Sequence, residues 1–136
     1  MPPIFVDTSA LIAFGNKGDI FHQQADKIRQ ELVKSRRFFL TTSLVVVELC
    51  NAFSKKRFRS VCIEIVEGIH NSDKWTYVDV NKKLMKRGFE LFKKMSDKEW
   101  SLVDCVSIIV ARDFGIIDVF TTDRHFEQAG FQKLLK

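Results

Sequence analysis

Short apolar segments alternate with stretches of helical periodicity along nearly the whole chain, and that alternation narrows what it can fold into. "PPIFV" at 2–6 ends against Asp7, "RFFLTT" fills 37–42, "KWTYVDV" fills 74–80 and "IDVFTTD" fills 117–123. The intervening periodicity predicts helices over 9–14, 21–35, 43–54, 58–71, 81–95 and 101–115, with Ser43 and Ser101 as N-caps and Gly115 as a stop. "FQKLL" at 131–135 is a candidate small edge strand. Strands that read as continuous apolar runs are covered on both faces. The pattern therefore predicts one α/β domain over 1–136, with a mainly parallel sheet and right-handed crossovers.

Composition removes several classes of function. Hydrophobic residues are 46% and charged residues 29%, too balanced for a disordered chain. No apolar run approaches the roughly 18 residues of a membrane span, and the start, "MPPIFVDTSALIAF", lacks a signal peptide's basic and long apolar regions. A cytoplasmic protein without membrane attachment is expected. Cys50, Cys62 and Cys105 form no C-x-x-C pair and lie among apolar neighbours, so they read as buried reduced thiols. His22, His70 and His125 are scattered and offer no zinc spacing. The net charge of +5, concentrated in "SRRFF", "SKKRFRS" and "NKKLMKRGFELFKK", fits either solvated helix faces or a phosphate-binding surface.

Four acids need explaining. In parallel α/β sheets, ligands gather outside the carboxyl ends of the strands, and Asp7 and Asp123 follow two such ends. Asp7 also suits an N-cap, and Asp123 a turn. Glu48 sits in "SLVVVELCNAF" at 43–53, where Leu44, Val45, Val46, Val47 and Leu49 make the helix look largely buried. The alternative is a narrow wet stripe through Asn51, Ala52 and Lys55. Asp104 in "SLVD" has capping-box spacing from Ser101, yet Ser107 and Ala111 leave space on its side of an apolar helix. One shared cause would be a cation. Gathered carboxylates repel and take up protons unless a metal neutralises them. Oxygen ligands without His or Cys favour Mg²⁺ or Mn²⁺.

The segments "VDTSALIA", "TTSLVVVELCNAF", "SLVDCVSIIVARDFGI" and "VFTTDRHFEQAGF" run the length of the chain. In them it resembles the PIN domain family, specifically the small VapC-like toxins of toxin–antitoxin pairs; the last two segments with their spacing are the most specific. The resemblance implies a three-layer α/β/α sandwich and a divalent-metal ribonuclease. It carries an acidic quartet to Asp7, Glu48, Asp104 and Asp123 as catalytic and metal-binding residues. Asp7, Asp104 and Asp123 are then direct ligands, and Glu48 ligates through water or orients the attacking water. Supporting hydroxyls carry over to Ser9, Ser101 and Thr122. It also implies an antitoxin covering the site, and a homodimer.

RNA is expected on Lys55, Lys56, Arg57 and Arg59, with a weaker case for Arg36 and Arg37. Phe58 within that run is a stacking candidate, though a core Phe is the simpler reading. Two other readings remain: a non-catalytic RNA-binding module of the same fold, and a metal-dependent DNA nuclease. A phosphotransfer domain with Asp7 as nucleophile would want a second acid where Ser9 stands.

Overall fold

The computed structural model describes residues 1–136. Its strands are β1 (Ile4–Val6), β2 (Phe39–Thr42), β3 (Trp75–Val78), β4 (Asp118–Phe120) and β5 (Gln132–Lys133). Its helices are α1 (Thr8–Gly15), α2 (His22–Lys34), α3 (Ser43–Ala52), α4 (Lys56–Asn71), α5 (Lys82–Lys94), α6 (Leu102–Asp113) and α7 (Arg124–Gln128). All pairings are parallel, in the order β3-β2-β1-β4-β5. "FQKLL" supplies the edge strand β5, as expected. Helices α1 to α4 pack with one another and α5 pairs with α6, which gives the three-layer α/β/α sandwich. No helix is long and apolar enough to cross a membrane.

The central position of β1 explains its composition. Flanked by β2 and β4 and covered by helices, Ile4, Phe5 and Val6 are all buried. A strand in that position has no wet face on which to place alternate polar residues. The edge strand β3 is only half-buried. From β1 the chain builds β2 and β3 on one side, then returns to build β4 and β5 on the other. The topology therefore reverses between β1 and β4, and their carboxyl ends open a crevice there.

Several local details place the helices around that crevice. Thr42, not Ser43, caps α3: its hydroxyl accepts from Val45 N at 3.3 Å. Thr42 is still extended at the end of β2, whereas Ser43 is already helical and its Oγ accepts from Val80 N at 2.9 Å. Helix α6 starts with a complete capping box between Ser101 and Asp104. It ends before Gly115, whose φ of +64° suits a residue without a Cβ. Gly88 lets α5 lie close on α6, since a Cβ there would collide with Val106 Cγ2.

Candidate metal centre at the carboxyl ends of the strands

The crevice between β1 and β4 is built from strand-end residues. Asp7 N donates to Phe120 O at 3.0 Å, extending the β1–β4 pairing by one residue. Asp7 occupies the N-cap position of α1, yet its side chain caps nothing. Its Oδ2 instead accepts the Thr121 hydroxyl at 2.9 Å and the Ser9 hydroxyl at 3.3 Å. Ser9 Oγ also lies 3.0 Å from Thr121 Oγ1 and accepts from Thr122 N at 3.0 Å. The Thr122 hydroxyl, expected to help here, makes no such bond; one position earlier, Thr121 is fully buried and makes it. Side chains alternate faces along a strand, so a shift of one residue exchanges the wall for the crevice.

Asp104 enters from α6 and combines both roles suggested for it. Its Oδ2 accepts Ser101 N at 3.1 Å, closing the capping box, and faces His125 Nδ1 at 2.8 Å. The Ser101 hydroxyl accepts from Asp104 N at 3.0 Å, so Ser101 acts on Asp104 through the cap. Asp123 is the N-cap of α7, a helix the sequence patterning missed. Its Oδ1 accepts His125 N at 2.9 Å and lies 3.1 Å from His125 Nδ1. Trp100 Nε1 donates to Gln128 Oε1 at 2.8 Å and ties the start of α6 to the end of α7.

His125 corrects the expectation of scattered histidines. Potential ligand atoms of Asp104, Asp123 and His125 all lie within 4.8 Å of one another. Asp123 and His125 are adjacent only because a five-residue helix brings position 125 back beside its own N-cap. The two-residue spacing in "DRHF" was the available signal.

Glu48 reaches the same end from α3. Its Oε1 accepts the Thr8 hydroxyl at 2.6 Å, and Thr8 is bonded in sequence to Asp7. The α3 helix is less buried than its composition suggests: Val45 and Leu49 are covered, while Val47 and Cys50 are exposed. Glu48 itself is half-buried.

Electrostatics and hydrogen bonding describe one kind of occupant. Burial pushes the Asp7 carboxyl up to about 6; the Thr121 hydroxyl opposes the rise, and the neighbouring Asp104 and Asp123 charges add to it. Each of the four acids has one oxygen engaged by a donor: Asp7 Oδ2, Glu48 Oε1, Asp104 Oδ2 and Asp123 Oδ1. The other oxygens, Asp7 Oδ1, Glu48 Oε2, Asp104 Oδ1 and Asp123 Oδ2, accept from no other side chain. One helical turn beyond Asp104, the buried Ser107 hydroxyl also lacks a partner. Carboxylates oriented by such donors and gathered this closely fit a small hard divalent cation.

The basic runs at 35–39 and 54–60 lie on different parts of the fold. Lys55, Lys56, Arg57 and Arg59 are exposed around the turn into α4. Arg59 Nη2 donates to Ser54 O at 2.7 Å. Phe58 is half-buried: it stacks on Phe53 with ring centroids 5.0 Å apart, and Arg57 lies over it. It packs against the core, in line with the simpler reading. Arg36 and Arg37 sit before β2, at the amino ends of the strands, where Arg37 donates to Pro2 O at 3.2 Å and pairs with Asp118. The opposite end of the sheet removes them from the acidic crevice.

Comparison with known proteins supplies a context for this geometry. The family model described as the PIN domain matches residues 4–132. A curated relative, the 23S rRNA-specific endonuclease VapC20 of Mycobacterium tuberculosis, is 27% identical over 128 residues, 94% of this chain and 95% of its own. The crystal structure of that VapC20, described as a sarcin–ricin loop cleaving toxin, superposes with a TM-score of 0.81 at 28% identity. It covers 94% of this chain and 95% of the other. FitAcB from Neisseria gonorrhoeae shares the fold at a TM-score of 0.67 and 14% identity, covering 96% and 95% of the two chains.

Proposed function

The chain belongs to the PIN domain family, a nuclease fold, and on that premise we propose that it is a Mg²⁺- or Mn²⁺-dependent endoribonuclease, the toxin of a toxin–antitoxin pair. The observation that carries this reading is the meeting of Asp7 and Asp123, at the carboxyl ends of β1 and β4, with Asp104 from α6, and Glu48 joined to the same place through the Thr8 hydroxyl. The rRNA specificity of the VapC20 relative makes ribosomal RNA the first substrate class to assay.

A divalent ion held there supplies an activated water and charge stabilisation on a phosphodiester. The chain's own residues perform the positioning. Asp7, Asp104 and Asp123 would hold the ion, and Glu48 would position water beside it. Thr121 and Ser9 fix the Asp7 carboxylate, Thr8 fixes Glu48, and Ser101 N fixes Asp104. Lys55, Lys56, Arg57 and Arg59 draw the RNA backbone towards the crevice without reading bases. The protein works in the cytoplasm as a homodimer, and an antitoxin covers its site. Between α1, α2 and α4 an open, mainly apolar cleft of about 390 Å³, lined by Leu11, Phe14, Val33 and Ile65, offers a protein partner additional purchase.

The test is cleavage of total RNA and of ribosomal RNA fragments by the purified protein with Mg²⁺ or Mn²⁺, with single-stranded DNA run in parallel. Metal-dependent RNA scission at discrete sites, abolished by EDTA, is expected. Binding of RNA without scission under any divalent ion would favour a non-catalytic module, and preferential DNA scission a DNA nuclease.

A further inference from the structure

Away from the acids, two thiols meet. Cys50 is exposed on α3, Cys62 is buried on α4, and the Cys62 thiol donates to Cys50 Sγ at 3.7 Å. The exposure of Cys50 corrects the expectation of three buried reduced thiols, whereas Cys62 and Cys105 are buried as expected. The contact is a consequence of the helical hairpin. Phe53, just after α3, stacks on Phe58 in the first turn of α4 with an interplanar angle of 16°. With the two helices clamped at the turn, Cys50 and Cys62 face each other across the hairpin.

A disulfide needs the sulfurs at about 2.05 Å, so the present gap must close by about 1.7 Å. We propose that Cys50 and Cys62 form a redox-responsive pair, oxidised by small-molecule disulfides to an intramolecular bridge that ties α3, the helix carrying Glu48, to α4.

The chemistry balances as thiol–disulfide exchange. The Cys50 thiolate, open to solvent, attacks one sulfur of the small disulfide; its S–S bond breaks, one thiolate leaves, and a mixed disulfide forms on Cys50. Cys62 then gives its proton to solvent, and its sulfur attacks Cys50 Sγ. The mixed bond breaks and the second small thiolate leaves. Two protein thiols are oxidised and one small disulfide is reduced to two thiols. The exposure of Cys50 makes it the point of entry, and the burial of Cys62, which pushes its thiol up to about 11, makes the ring-closing attack the slower step.

The experiment treats the reduced full-length protein with oxidised glutathione and follows intact mass and non-reducing peptide maps. The expected product is a single chain lighter by two hydrogens, with one peptide linking positions 50 and 62, Cys105 unmodified, and reversal by dithiothreitol. C50S should form no bridge, and C62S should stop at the glutathione adduct on Cys50. A wild-type protein that accumulates the adduct, forms a Cys50-linked dimer, or stays fully reduced would overturn the proposal. None of these readouts depends on RNA cleavage.

Discussion

The Thr121 hydroxyl donates to Asp7 Oδ2 at 2.9 Å across the seam between β1 and β4. Thr121 is fully buried and also accepts from Asp123 N at 3.0 Å, so one side chain holds two acids. Thr121→Val keeps the shape and removes both bonds, leaving Asp7 without its principal donor. A loss of about 1–3 kcal/mol in denaturant unfolding is expected, together with weaker Mn²⁺ binding by calorimetry. Thr122→Val, one position on, should change stability by no more than about 0.5 kcal/mol and leave Mn²⁺ binding as it is.

The raised carboxyl of Asp7 gives the metal-free protein a defined pH dependence. Its pKa moves from 3.8 to about 6 on folding, mainly through burial. Between those values the native state holds more protons than the unfolded state, so stability falls as pH rises through that window. A shift of that size corresponds to on the order of 3 kcal/mol, fully present as stabilisation below about pH 4 and lost above about pH 6. Asp7→Asn removes the charge penalty. In EDTA it should unfold at a higher temperature than wild type at pH 7.5, with the advantage gone at pH 4. Equal melting temperatures at pH 7.5 would show that Asp7 carries no such penalty.

Asp104 separates structure from chemistry through the choice of substitution. Asp104→Asn retains an oxygen to accept Ser101 N and so preserves the capping box, while removing a negative charge from the site. Its melting temperature should stay close to wild type, while Mn²⁺-dependent RNA cleavage falls at least a hundredfold. Asp104→Ala also loses the carboxyl side of the cap, and thermal unfolding should report a further loss of about 1 kcal/mol.

Much of this architecture is legible in the residues, and the exceptions have physical causes. "IFV" and the apolar part of "IDVFTTD" read directly as buried parallel strands, because covered strands leave no polar alternation to blur the signal. The acids at their ends follow from that assignment. The five residues of α7 were too few for a helical period to emerge, so the return of His125 to Asp104 and Asp123 was hidden. Thr121 and Thr122 could not be separated without the exact end of β4, and Cys50 looked buried because its apolar neighbour Leu49 is buried, on the side of the helix opposite its wet face. Sequence gives neighbours along the chain, whereas exposure depends on which of them lie across the hairpin.

The exposed turn into α4 should report itself through salt. Lys55, Lys56 and Arg57 carry no side-chain ion pair with an acid, whereas Arg59 is engaged with Ser54 O. Replacing the first three by Gln removes three exposed positive charges with little effect on the core. In fluorescence anisotropy with single-stranded RNA, the slope of log K against log salt should fall by about 0.7 for each phosphate left without its cation. On the proposed role of these residues in drawing substrate in, cleavage at saturating RNA should change far less than binding.

His125 provides the sharpest test of how the acids are held apart from one another. Its Nδ1 lies 2.8 Å from Asp104 Oδ2 and 3.1 Å from Asp123 Oδ1, so one ring nitrogen bridges two carboxylates. His125→Ala leaves Asp104 without its ring donor and takes the nitrogen away from beside Asp123, and the metal-free protein should lose about 1–3 kcal/mol. A divalent ion can replace the missing partner, so Mn²⁺ should raise the melting temperature of this variant more than that of wild type. His125→Asn places an amide N–H close to the original Nδ1 and should restore most of the metal-free stability. A smaller Mn²⁺-induced rise in His125→Ala than in wild type would instead make the imidazole a ligand in its own right, adding nitrogen to a site otherwise built from carboxylate oxygens.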